Sequence, residues 1–428
     1  MKFATTTALA GALALGIAGM TASPALAKKK EEAAQQGAQF STAFRQAAQP
    51  VQKAMQAGDY AGAKAALPAL LQAASTPDDK YQGYLIQLQI ALKENDAATQ
   101  NSAIDQILAT GKATPEVTKQ ILNVRGVNAF NSNDLATADK AFTQLVQLNP
   151  QDGDTAILLA QTKLREKQPQ AALPVVDQAI QAKKASGQPV PEDWYRRALA
   201  IAYDGKMPAE TVKYGQQLIS AYPSPAAWRT VLQTYRDTNR LDQQTDLDTL
   251  RLMRATGGLA GERDYFEYAN LANDKGFPGE AKAVIDEGMA SNMVDNQALK
   301  NSKVLNEIKN LAAPKVAADK ASLPALDKAA RAGADGKKAL NTADAYLGYG
   351  MYAQAADLYK IALSKGGVDP NIVNLRLGMA LARAGQKDAA VQALNAVTGP
   401  RQALAQYWVI YANVGQGSAT AAPAPAAG

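Results

Sequence analysis

The sequence predicts an all-α chain: an α-solenoid, or superhelix, of stacked antiparallel helix pairs. Three observations carry this reading. Large and small apolar residues return in phase, with Leu122, Ala156, Trp194 and Trp228 opening successive periods of 34, 38 and 34 residues. Turn residues fall at the same point of each period. The composition also suits closely packed helices better than a β-rich core: apolar residues make up 47% of the 428 residues, much of it alanine, and aromatics only 6%. A chain of this length outgrows a single core, so it holds either several domains or an elongated array.

The first 27 residues read as a segment outside the fold. Lys2 is followed by an uncharged apolar stretch from Ala8 to Met20, then by Ala25 and Ala27 in the A-x-A arrangement and the charged run Lys28 to Glu32. That is the layout of a secretory signal cut after Ala27. The alternative, an uncleaved anchor, is disfavoured because the stretch is rich in Ala, Gly and Thr. No later segment is apolar for long enough to span a bilayer. The expected location is a bacterial periplasm, or alternatively the secreted fraction.

The clearest repeat lies between Leu122 and Pro150. Leu122, Gly126 and Ala129 share one helical face, Asn133-Asp134 marks a turn, and Ala138, Phe142 and Leu145 form the facing stripe of a second helix. Small residues at Gly126 and Ala138 let the two helices approach, while bulky positions fill the groove between pairs. This pattern resembles the tetratricopeptide repeat. The resemblance extends through Ala156, Ala160, Ala172 and Ala179; Trp194; Trp228, Leu232 and Tyr235; and Tyr265, Ala269, Ala272, Gly276 and Ala281. Near the C-terminus it covers Ala343 to Ala362 and Gly378 to Leu394. Earlier, weaker repeats centre on Gly58-Asp59-Tyr60 and on Tyr84, Leu88, Ala91, Ile104 and Ile107. Nine repeats are expected over about residues 40 to 398.

Departures from the pattern mark places to watch. Pro50 falls inside the first expected helix and should kink or delay it. The repeat opened by Trp228 has Gln244 and Asp248 where alanine and an aromatic belong, so its second helix should pack loosely. Residues 290–338 fit no repeat; they read as two helices, 296–311 and 323–332, broken at Pro314 and rich in lysine. This segment is either a divergent pair or a connector, and the connector is preferred. The organisation is then a cleaved signal (1–27), an N-terminal array of about seven pairs (28–289), a basic helical connector (290–338), a C-terminal repeat pair with a capping helix over 402–412 (339–413), and a disordered Ala/Pro/Gly tail (414–428).

The composition excludes much chemistry. The chain has neither cysteine nor histidine, so it lacks disulfides, thiol nucleophiles, thiolate or imidazole metal ligands and the usual general base. No metal ligand cluster and no cofactor motif is present, so neither is expected. Gly257 to Gly261 follows no strand and reads as a helix–helix turn, Asp78-Asp79 as helix capping, and Trp194 and Trp228 as core. A net charge of +6 is too mild for a nucleic-acid signature.

A surface remains. In tetratricopeptide proteins the first helix of each pair lines the concave face, and the resemblance places Tyr195, Arg229, Gln233, Arg236, Phe266, Asn270 and Asn273 there. Arginine and aromatic side chains are good anchors for an extended or acidic peptide. Leu340, Leu375 and Met379, the matching positions of the last repeats, read as internal packing. The expected function is a non-catalytic protein–protein interaction scaffold of the periplasm. Alternatives are polysaccharide binding or export support, and a helical peptidoglycan-cleaving enzyme, which would need a buried Glu in a compact non-repeat domain.

Overall fold

The structure is a computed structural model that describes residues 39–295 and 303–414. The expected signal and residues 415–428 of the expected tail lie outside them. Among the described residues every regular element is helical, and the chain forms two compact bodies that divide at 189/190. The division falls inside the N-terminal array expected to run to residue 289.

The first body holds α1 (Thr42–Gln56), α2 (Tyr60–Ala73), α3 (Pro77–Lys93), α4 (Ala97–Ala109), α5 (Pro115–Asn131), α6 (Leu135–Leu148), α7 (Gly153–Arg165) and α8 (Pro169–Ala185). These pair as α1/α2, α3/α4, α5/α6 and α7/α8, each at an expected repeat. Helix α1 runs through Pro50 without ending. The close approach anticipated at Gly126 is real: a Cβ there would lie 2.6 Å from the Phe142 ring, inside contact distance. Ala138 beside it is fully buried.

The turns explain the phase. Gly58, Asn95, Asn133 and Lys167 each sit at positive φ, between 56° and 74°, just after a first helix. In each turn the next amide reaches back five residues, as Asp59 N to Ala54 O and Asp134 N to Ala129 O do. This is the Schellman closure, which satisfies carbonyls the helix end would otherwise leave bare. Asp59, Asp96 and Asp134 then cap the second helix by accepting from a backbone amide three residues on. Asp79 works differently from its expected N-cap role. It completes a capping box with Thr76 and also accepts from Ser41 N and Ser75 N, fully buried.

The second body begins with α9 (Glu192–Asp204), α10 (Pro208–Ala221), α11 (Pro225–Thr238), α12 (Gln243–Ala255), α13 (Gly261–Asp274) and α14 (Pro278–Ala290). It continues through α15 (Lys303–Ala332), α16 (Lys337–Gly348), α17 (Tyr352–Lys365), α18 (Pro370–Arg383), α19 (Lys387–Asn395) and α20 (Gln402–Val414). Lys206, Gly276, Gly350 and Gly385 repeat the positive-φ turn. The α11/α12 connection is the exception, with Asn239 extended. That pair is the one whose sequence departs from the pattern. Trp194 and Trp228 are core residues, as expected.

Two expectations are corrected here. Helix α15 is continuous over thirty residues, with Pro314 and Pro324 inside it, and it packs against α13, α14, α16 and α17. It is therefore a single helix inserted into the array, with Ile308, Leu323 and Ala330 buried; residues 296–302 of the expected helix lie outside the described residues. The expected solvating cap, α20, is instead a buried element. Leu404, Ala405, Tyr407 and Trp408 are at most 1% exposed, because the helix packs on α10, α12, α18 and α19. Tyr407 lies edge-on to Tyr235 with ring centroids 5.5 Å apart. Gly215 makes room for it, since a Cβ there would come within 2.9 Å of the Tyr407 hydroxyl. Leu375 and Met379 are buried, as expected, and Leu340 is half-buried.

Helix α12 packs more loosely on α11 than the second helices of the other pairs do on theirs, as expected, yet most of it is buried, and Asp248 shows why. It is 1% exposed and accepts from Arg251 Nη1 at 2.7 Å and from Arg376 Nε of α18 at 3.3 Å. Arg376 also donates to Asp344 at 2.7 Å, and the Tyr359 hydroxyl donates to the same carboxylate at 2.6 Å. On the other side Arg251 grips Glu280 with two bonds of 2.9 and 2.6 Å, and Tyr268 adds a third at 2.7 Å. An aromatic at 248 would leave Arg376 without this partner; the departure from the repeat is the attachment point of the returning chain.

Candidate partner-binding face

The seven residues expected on one face divide into three groups. Tyr195 belongs to the core: it is 4% exposed, its ring packs on Tyr222 at 6.4 Å, and burial pushes its phenol up. It is not available to a partner.

Arg229 and Arg236 lie on α11 at the expected face but act as struts. Arg229 donates to Gly258 O at 3.2 Å and pairs with the buried Asp264 of α13. Arg236 has a side chain only 11% exposed and bridges Asp246 of α12, at 2.6 Å, to Glu267 of α13, at 3.1 Å. Burial would raise the Glu267 carboxyl, but hydrogen bonds from Arg263 and Arg236 reverse this and hold it below its ordinary value. The charges that suggested an acidic partner are thus largely neutralised within the face. The Gly257–Gly261 turn has a local role here: a Cβ on Gly258 would press on the Arg229 backbone amide at 3.2 Å. The turn thereby brings α13 against the first residues of α11.

Gln233, Phe266, Asn270 and Asn273 form the remaining group. Gln233, Phe266 and Asn270 are half-buried and Asn273 is exposed. Gln233 donates to Asp237 at 3.2 Å and Asn270 to Asp274 at 3.4 Å, both bonds within their own helix. These four side chains occupy the surface of two helices that Arg229 and Arg236 pin together. Residue spacing found their positions. It could not show which arginines are consumed by carboxylates on the neighbouring helix, because that pairing depends on how adjacent repeats dock.

Among the described residues no group of three or more acidic side chains is placed to hold a metal ion, and no helix is long and apolar enough to cross a membrane.

Repeated helix pairs, Schellman turns and small-residue seams define an array of tetratricopeptide type. No family model matches the chain, and no curated protein matches it. Among solved structures it is similar to a tetratricopeptide repeat protein from Parabacteroides merdae, at 11% identity over 80% of this chain and 100% of that one, with a TM-score of 0.30. It is also similar to PilF of Pseudomonas aeruginosa, at 13% identity over 58% of this chain and 97% of that one, with a TM-score of 0.26. A third is the TPR2AB domain of yeast Sti1 in its pHSP90 complex: 13% identity, 69% of this chain, 98% of that one, TM-score 0.24. Likenesses this distant carry no functional argument.

Proposed function

We propose that the chain is a non-catalytic protein–protein interaction scaffold of the periplasm, and that it binds a partner protein or extended peptide across α11 and α13. The observation that carries this reading is the row Gln233, Phe266, Asn270 and Asn273. Its side chains are left accessible on two helices locked to each other by Arg229 and Arg236. A surface held rigid before binding loses little conformational freedom when a partner arrives. Amide side chains beside one aromatic suit the backbone and mixed side chains of a polypeptide. An acidic partner is not favoured, since both arginines already hold carboxylates. The periplasmic reading rests on the apolar stretch from Ala8 to Met20 and the A-x-A site at Ala25 and Ala27.

The enzyme alternative needs a buried acid kept protonated and open to a substrate. Burial raises the Asp344 carboxyl, but its oxygens are taken by Arg376 and the Tyr359 hydroxyl. Glu280 is buried, but the pull runs the other way. Burial raises its carboxyl, whereas the Arg251 charge and the bonds from Arg251 and Tyr268 outweigh burial and hold it below the ordinary range. The polysaccharide alternative needs aligned exposed aromatics, and Phe266 stands alone among the four accessible residues of the row.

The test is crosslinking of the mature chain in its native envelope, with identification of the captured protein. The Phe266→Ala/Asn273→Ala double variant should lower capture at least tenfold while the fold is retained. Undiminished capture would sink the proposal. Arg229 and Arg236 are poor probes, because their removal unpins α13.

A further inference from the structure

Trp408 of α20 forms part of the wall of a half-open cavity of about 300 Å³ within the second body, at the small end of the range for metabolite pockets (about 300–1,000 Å³). Its wall includes Tyr268, Tyr349, Tyr352 and Trp408, aromatic groups drawn from α13, the α16–α17 connection, α17 and α20. Cations outnumber acids in the same wall. Arg251 is held by Asp248 and Glu280, Lys282 by Asp286, and Arg254 by Glu287. Two further cations lie over aromatic rings: Lys320 is 5.1 Å from the centre of Tyr349, and Arg383 is 5.1 Å from that of Tyr352. Lys320 is exposed and has no ion pair among the described residues.

An independent observation points to an occupant. Trp408 is 1% exposed, and its indole Nε1 has no hydrogen-bond partner among the described residues. A buried N–H without an acceptor costs about 1–3 kcal/mol, and buried indoles usually find one. The carboxylates in the same wall, Glu280 and Asp286, are taken by Arg251 and Lys282, which leaves rings and cations facing the space. We propose that this cavity binds a small organic anion bearing a ring: the anionic group accepts from the Trp408 indole and is attracted by Lys320 and Arg383, while the ring packs on Tyr349 and Tyr352. The cavity is distinct from the α11/α13 row, so its failure would leave the scaffold reading standing.

Calorimetric titration of the full mature chain at low salt provides the test, with phenyl phosphate and benzoate as probes, inorganic phosphate as the ringless control and benzyl alcohol as the uncharged one. The two ring-bearing anions should bind saturably, one per chain, and at least tenfold more tightly than either control. Lys320→Gln, at an exposed position that leaves the fold intact, should weaken binding at least tenfold. Trp408→Phe keeps the ring, removes the donor and should do the same, while Phe266→Ala should change nothing. Absence of binding by both ring-bearing anions at millimolar concentration, equal affinity for a control, or affinity unmoved by Lys320→Gln and Trp408→Phe would each overturn the proposal.

Discussion

Arg376 on α18 donates to Asp248 on α12 at 3.3 Å across 128 positions of sequence, both side chains at most 3% exposed. Removing one partner of such a pair leaves an uncompensated buried charge, worth about 3–5 kcal/mol. Arg376→Met strips a partner from both Asp248 and Asp344 and should cost that much. Arg331→Met breaks the more exposed pairs with Asp327 and Asp357 and should cost no more than about 1 kcal/mol. Trp194, Trp228 and Trp408 all lie in the second body, so urea unfolding followed by tryptophan emission reads both effects. Equal losses would mean that the buried network does not hold this body together.

Gly126 tests the seam between paired helices. Gly126→Ala drives a methyl into the Phe142 ring and should destabilise the first body by about 1–3 kcal/mol. At Gly83 a Cβ would press on the tip of the flexible Leu71 side chain, at 3.0 Å, and meet the Phe44 ring only at ordinary contact distance, 3.5 Å. Alanine's better helix propensity, about 1 kcal/mol, should make Gly83→Ala neutral or stabilising. The first body contains no tryptophan, so thermal melting followed by circular dichroism distinguishes the two. A neutral Gly126→Ala would contradict the close approach.

Lys206 closes the α9/α10 turn at φ 53°, a conformation that side chains with a Cβ resist. Glycine fills the equivalent position in several other turns. Lys206→Gly should therefore stabilise the second body by roughly 0.5–1 kcal/mol, net of glycine's entropy cost. A loss of stability in the same emission assay would show that Lys206 contributes more than turn geometry.

Glu280 gives the fold a defined acid limb. Its carboxyl is held lower in the folded chain than its ordinary value of 4.5, so the folded state binds fewer protons as acid is added. Its contribution is complete above 4.5 and is lost as pH falls through the folded value. Glu280→Gln should cost about 3 kcal/mol at neutral pH, and the gap to the parent should close as pH drops below 4.5. Asp344 runs the other way. Burial outweighs Arg376 and Tyr359 and raises it, so its contribution is complete below 3.8 and lost as pH rises through the raised folded value. Stability curves of Glu280→Gln and Asp344→Asn against pH should diverge from the parent in opposite directions; parallel curves would contradict the assignment.

The repeats were legible because their causes are local. Small residues, left-handed turn positions and capping aspartates each act within a few residues of sequence, and each expected repeat forms two helices, closely paired in all but α11/α12. The errors arose where distant segments meet. Asp248 breaks the pattern for α12 alone, and nothing nearby in sequence announces Arg376. The apolar stripe of Leu404, Trp408 and Tyr411 marked a helix with one buried face, but periodicity cannot say that α10 and α12 cover it. Pro314 was overvalued as a breaker, since tertiary packing on α14 and α16 holds α15 continuous. On the proposed face, spacing located Arg229 and Arg236 correctly, while their neutralisation by Asp264, Asp246 and Glu267 emerges only from the docking of adjacent pairs.

The most direct measurement is a photocrosslinking scan, with a photoreactive residue placed in turn along α11 and α13 of the chain in its native envelope. The scaffold account predicts adducts of one partner at positions 233, 266, 270 and 273, saturating together, with none at positions 234 and 271, each one residue and so about 100° round the helix from 233 and 270. Adducts spread evenly around both helices, or confined to the first body, would contradict it.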